Sequence, residues 1–131
     1  MHTINRAETR SISIAASPQA VHAYLADARN LPAWAPGFAP RIRPDGAASW
    51  VVTAEDREFN IDVLAESRSG AVDVVSASDH SRGLFTRVLP NAGGSELLFT
   101  LLFAPDAPEP AIQAQLVTLD SELAAVRDAC Q

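Results

Sequence analysis

The residues from Pro110 to Gln131 constrain the fold more than any other stretch. Ile112, Leu116, Leu119, Leu123, Val126 and Cys130 recur there at alternating steps of four and three. That spacing lines them along one stripe of an α-helix, with Gln113, Gln115, Asp120, Glu122, Arg127 and Asp128 mostly off it. Pro110 suits the first helical turn, where a missing N–H costs nothing. The stripe needs a partner surface, and the chain offers no second long helix. Nearly everything between the first forty residues and the stripe reads as β-strand, so the helix must lie on a sheet.

The strands announce themselves by alternation and by turn chemistry. Glu8 to Ala15 places Ile12 and Ile14 on one face and Ser11 and Ser13 on the other, a strand with one buried side. Ser17-Pro18 then reads as an N-cap with proline at the first helical position. Val21, Tyr24, Leu25 and Ala28 give this short helix an apolar face, while Gln19 and His22 point elsewhere. The prolines at 32 and 36 limit the next segment to one helical turn and a loop carrying Trp34 and Phe38.

From Arg41 onward the punctuation is that of antiparallel hairpins. Arg41–Arg43 ends at the turn Pro44-Asp45-Gly46, and Ser49–Glu55 turns through Glu55-Asp56-Arg57-Glu58 into Phe59–Glu66. Arg68-Ser69-Gly70 leads to Ala71–Ala77, Asp79-His80-Ser81 to Gly83–Leu89, and Asn91-Ala92-Gly93-Gly94 to Glu96–Phe103. Connections this short favour a meander. Phe99, Leu101 and Phe103 share a face, as do Phe59, Ile61 and Val63, and Val72, Val74 and Ser76. Those faces are expected to meet the helix, because burying Asn60, Asp62 and Asp73 without partners would be costly. Phe85, Arg87 and Leu89 form the corresponding set on their strand.

At 131 residues the chain fits one domain, 1–131, with the helix at about 110–130. No apolar run approaches the ~18–20 residues that span a membrane, and the opening Met-His-Thr-Ile-Asn-Arg lacks a signal-peptide core. Cytoplasmic localisation is expected. A formal charge of −6 opposes binding to nucleic acid, which needs clustered cations. All ten basic residues are arginine, so no lysine Schiff base can form. The single cysteine, Cys130, forms no internal disulfide and no thiolate cluster for zinc, and it reads as a small residue on the last helical turn. His2, His22 and His80 stand in no ligand spacing, so neither a metal nor a cofactor is expected. Ser76, Ser78 and Ser81 near His80 and Asp79 do not make a hydrolase triad. Neighbours in a tight turn cannot converge that way, and no Gly-x-Ser-x-Gly elbow is present.

The opening Ser11-Ile12-Ser13-Ile14-Ala15-Ala16-Ser17-Pro18 continues through Val21, Tyr24-Leu25-Ala26-Asp27 and Asn30-Leu31-Pro32-Ala33-Trp34. In that wording, and in its order of elements, the chain resembles the START-like (SRPBCC) superfamily of helix-grip proteins. The polyketide cyclase/dehydrase and lipid-transport branch is the most similar. The resemblance implies an α+β fold: a bent antiparallel sheet of about seven strands wrapped around the long C-terminal helix, with two short helices after the first strand. It also implies a cavity between sheet and helix that takes lipids, polyketides or other apolar ligands.

By that resemblance Trp34, Phe59, Ile61, Val74, Phe85, Phe99, Leu116 and Leu119 would line the cavity. Trp34 would also close one end of the sheet, and Trp50, a core residue by default, would line the cavity by the same analogy. Arg87 could pair with a ligand carboxylate or enolate if its face lines the cavity; in a shifted register it is a surface charge on the convex side. Asp56, Arg57, His80 and Arg82 would stand at the cavity mouth. There His80 is the candidate acid or base, or else part of a solvated hairpin tip. Tyr24 would anchor the first helix. Binding of a small hydrophobic or amphipathic ligand is the function implied, with a homodimer compatible. The alternatives are a polyketide cyclase/dehydratase-type enzyme using His80, and a fold used for protein contact.

Overall fold

A computed structural model describes residues His2 to Gln131. Its elements run β1 (Arg6–Ile14), α1 (Pro18–Ala26), a 3-10 turn (Ala28–Asn30), α2 (Leu31–Trp34), β2 (Arg41–Pro44), β3 (Ser49–Ala54), β4 (Arg57–Glu66), β5 (Ala71–Ser76), β6 (Asp79–Asn91), β7 (Gly94–Phe103) and α3 (Glu109–Cys130). The seven strands form one antiparallel sheet in the order β1-β7-β6-β5-β4-β3-β2. Short turns make β2 to β7 a meander, and β1 then pairs with the last strand of that meander, from Arg6↔Phe103 to Ile14↔Ser95.

Local chemistry starts α1 where the sequence suggests. The Ser17 hydroxyl accepts the Ala20 N–H at 3.1 Å, and Pro18 occupies the first turn of α1. Val21 and Leu25 are buried, and Asn30 donates to the Tyr24 carbonyl at 2.9 Å, which ties α1 to the turn after it. His22 is not a free surface residue. Its Nε2 lies 3.1 Å from the Ala71 carbonyl on β5.

The long stripe behaves as amphipathicity requires. Ile112, Leu116, Leu119, Leu123 and Val126 are all buried, and α3 packs chiefly along β1, and also against α1, α2 and β7. Both ends of the helix are pinned to the ends of β1. Arg6 pairs with Glu109 at 2.5 Å, and the Ala15 N–H donates to the Gln131 side chain at 2.9 Å. Helix α1 crosses the middle of the sheet, over β4 to β7, and α2 joins it to α3. The inner face of the sheet is therefore covered by two separate helices.

One strand departs from its expected form. β6 begins at Asp79, so Asp79-His80-Ser81 lies within the strand and the turn is at Ala77-Ser78. A β-bulge interrupts the β5–β6 pairing between Val75 and Ser76, and Val74 and Val75 are both buried around it. Gly83 sits against this bulge, where a Cβ would strike the Val74 carbonyl, so only glycine fits.

Pairing with β7 then sets the faces of β6. Thr86 is opposite Phe99 and Val88 is opposite Leu97, both buried, so Leu84, Thr86 and Val88 point inward. Phe85, Arg87 and Leu89 belong to the outer face. The inward threonine is satisfied, its hydroxyl donating to the Val72 carbonyl at 2.6 Å.

Candidate functional site

Helices α2 and α3 and the inner face of the sheet enclose a recess of about 1240 Å³. Its walls come from distant parts of the chain. Leu31 and Trp34 enter from α2, Phe59 and Ile61 from β4, Val74 from β5 and Leu84 from β6. Leu101 and Phe103 of β7 and Ile112 and Leu119 of α3 complete the carbon lining. This lining reflects the period-two alternation of the strands and the 3.6-residue period of the helix.

Trp34 is 2% exposed and stacks at an angle on Phe99, ring centroids 5.5 Å apart. Among the described residues its buried indole N–H has no hydrogen-bond partner, which is uncommon for a native core and costs stability. Nearer solvent, Phe38 packs on Phe59 at 5.5 Å, and the Arg57 guanidinium lies over the same Phe59 ring at 5.2 Å. The rim is formed by the β3–β4 turn, the β5–β6 hairpin and the β7–α3 loop, which contribute Ala54 and Arg57, Asp79, Ser81 and Arg82, and Ala104 and Ala107. The Ser81 hydroxyl and amide hold the Asp79 carboxyl below its usual range.

The residues expected at the site divide into three groups. Trp34, Phe59, Ile61, Val74 and Leu119 line the recess, and Arg57 and Arg82 stand at its rim. Phe99 and Leu116 are buried in the core but form no part of the recess wall. Phe99 sits against Trp34, and Leu116 belongs to the stripe along which α3 is packed.

Phe85, Arg87 and His80 lie elsewhere. The β6–β7 register puts Phe85 and Arg87 on the outer face, and the Arg87 Nε donates to the Ser69 carbonyl at 2.5 Å. His80 also folds onto the outer face, 2.7 Å from Asp62. Asp62 lies between the inward Ile61 and Val63, so it must point outward. The Ser49 hydroxyl, at 2.6 Å, and His80 hold its carboxyl below the usual range. His80 is thus committed to a surface pair rather than to the recess. Ser76 with Ser78, Ser81 with Asp79, and His80 with Asp62 form three separate pairs, and no triad.

The functional group that sequence reasoning passed over is Glu122. It lines the recess from α3, with Gln115 and Thr118 on the same helix. Among the described residues it has neither an ion-pair nor a hydrogen-bond partner, and burial alone pushes its carboxyl up to about 7. The available signal was its spacing. Gln115 and Glu122 are two helical turns apart and flank Leu119, so they form a polar edge to the stripe rather than part of the opposite face.

This raised pKa makes stability depend on pH. Glu122 binds a proton more tightly folded than unfolded, so the folded state holds more protons between pH ~4.5 and ~7. Stability therefore falls as pH rises through that window. Glu122→Gln removes the cost of ionisation and is expected to stabilise the protein at pH 8 by about 1–3 kcal/mol, less than the full shift implies because the carboxyl keeps some contact with water. At pH 4 the variant and the parent should melt together. Equal shifts at both pH values in thermal melts would contradict the burial of this carboxyl.

No protein-family model and no curated protein matches the chain. Solved structures match it closely in fold. The Aha1 dimer from Colwellia psychrerythraea aligns over 95% of this chain and 96% of its own, with TM-score 0.73 and 14% identity. XoxI from Bacillus cereus aligns over 95% and 94%, with TM-score 0.72 and 15% identity. Ara h 8.0201 aligns over 95% and 97%, with TM-score 0.62 and 12% identity. These are helix-grip structures, and at such identities the likeness speaks for architecture alone. With its seven-stranded antiparallel sheet, long C-terminal helix and two short helices after the first strand, the chain has the helix-grip fold.

Proposed function

We propose that the protein binds a hydrophobic or amphipathic small molecule, such as a lipid, a polyketide or an aromatic compound, in the recess between the sheet and α3. The observation that carries this reading is the recess itself: about 1240 Å³, walled mainly by carbon, with arginines only at the rim. Small-molecule sites run to about 300–1,000 Å³ and combine apolar walls with a few placed polar groups. Here affinity comes from apolar burial at ~25 cal/mol per Å², and Gln115, Thr118 and Glu122 are the polar groups that orient the ligand. This reading calls on no cofactor or metal.

The partners in this reading are the ligand and, by analogy with the Aha1 dimer, a second copy of the chain. A charge of −6 opposes nucleic acid as a partner. No helix among the described residues is long and apolar enough to cross a membrane.

A second reading, an enzyme of the polyketide cyclase/dehydratase kind, draws support from one observation. Glu122 is a carboxyl inside the recess with a pKa of about 7, suited to general acid–base work on a carbonyl compound. His80 supplies no such group to the recess.

Native mass spectrometry of gently purified protein tests the first reading. A small-molecule adduct is expected on the folded chain. Titration with Nile red, an uncharged dye, should give a saturable emission increase and a change in the combined Trp34 and Trp50 fluorescence. An adduct-free spectrum together with no saturable dye binding would end the binding proposal.

A further inference from the structure

The charge pattern around the recess is asymmetric. The charged side chains on its wall are Arg57 of β4, Asp79 and Arg82 of β6, and Glu122 of α3. Arg57 lies over Phe59 and Asp79 is held by Ser81, both at the rim. Helix α2 contributes only Leu31 and Trp34, and the neighbours of Glu122 on α3 that face the recess are Gln115, Thr118 and Leu119. Among the described residues no cation pairs with Glu122.

An apolar molecule filling the recess would displace the water that still reaches this carboxyl. Without a cation to pair with, an ionised carboxylate would then be left nearly dry, at a large cost. The neutral acid avoids that cost and presents an O–H donor instead. A donor without an acceptor fits a ligand that brings an acceptor oxygen.

We propose that Glu122 is the interior recognition group of the recess: as a neutral acid it donates a hydrogen bond to the carbonyl oxygen of an uncharged, otherwise apolar ligand, and binding takes up one proton. This rests on the recess being a ligand site, and the experiment separates the two. At neutral pH a fraction of the free protein carries ionised Glu122. That fraction binds only after collecting a proton from the buffer.

The probe is prodan, an uncharged naphthyl ketone, with diphenylhexatriene as a carbonyl-free control. With a carboxyl that titrates at about 7, the neutral fraction falls about tenfold between pH 6 and pH 8, so prodan affinity should fall about tenfold too. Calorimetry in buffers of different ionisation enthalpy should register proton uptake at pH 7.5. Glu122→Gln keeps a donor but no titrating proton, and should bind prodan independently of pH with about the parent's pH 6 affinity. Glu122→Leu should also be insensitive to pH and lose about fivefold for prodan, one hydrogen bond's worth, with diphenylhexatriene unaffected.

A parent protein whose prodan affinity is flat with pH overturns the proposal. So does a tenfold pH dependence that survives in Glu122→Gln, which would assign the proton to a different group. If neither probe binds at either pH, the ligand site itself is wrong and the role of Glu122 falls with it.

Discussion

Removing α3, by ending the chain at Pro108, is expected to abolish cooperative unfolding. Ile112, Leu116, Leu119, Leu123 and Val126 are each no more than 2% exposed. Burying an aliphatic side chain is worth about 1.5–3 kcal/mol, so five of them together match or exceed the ~5–15 kcal/mol by which a domain is stable at all. The loss is not confined to the helix. Ile14 on β1 and Leu97 and Phe99 on β7 are buried on the inner face, and the strands along which α3 packs would open to water. The Arg6–Glu109 pair and the Ala15–Gln131 hydrogen bond, which hold the two ends of β1, would go as well. Circular dichroism and calorimetry of the shortened chain should show a broad, low-enthalpy change and strong binding of hydrophobic dyes. A sharp melt within a few degrees of the full chain would refute this account of the core.

Trp34→Ala should cost about 3–5 kcal/mol, the usual range for truncating a buried aromatic. Trp34 sits on Phe99 at 5.5 Å and forms part of the recess wall, so the substitution both removes an aromatic contact and enlarges a space already present. Phenylalanine at the same position makes the more informative comparison. The Trp34 N–H has no acceptor among the described residues, so Trp34→Phe loses packing but no hydrogen bond and leaves nothing newly unsatisfied. Its cost should be no more than about half that of alanine. Urea unfolding with unchanged slopes would measure both. A Trp34→Phe variant as unstable as Trp34→Ala would mean that the indole N–H does bond to something.

The helix-grip architecture was legible in the sequence because its determinants are local. Six apolar residues at steps of four and three define a helix face wherever that helix ends up. Ser17-Pro18, Pro44-Asp45-Gly46 and Arg68-Ser69-Gly70 act within a few residues of themselves, and each lies at a helix start or a turn of the structure. The alternation of β4 and β7 was also readable, since one face of β4 carries Asn60 and Asp62 and that of β7 carries Glu96. Polar groups on one face of a strand leave the other as the only candidate for burial.

β6 offers no such contrast. Leu84, Thr86 and Val88 alternate with Phe85, Arg87 and Leu89, so each face carries two large apolar residues and one polar one. The aromatic on the second face favoured the wrong side. Only the pairing of Thr86 with Phe99, together with the Val72 carbonyl that accepts the threonine hydroxyl, decided it. The early start of β6 and the bulge at Val75 and Ser76 likewise carried His80 away from the mouth and onto Asp62, a partner eighteen residues distant.

Glu122 marks the same division on the helix. The sequence determined that α3 would have a buried stripe, and so that a sheet would receive it. Whether a residue beside that stripe meets water, packed carbon or the recess depends on where α2 and the far strands lie relative to α3. Those elements are set by contacts between residues scores of positions apart, and their spacing leaves no periodic trace in the chain. The tertiary structure alone therefore placed inside the recess a carboxyl that has no partner among the described residues, and buried the Trp34 N–H without an acceptor among them.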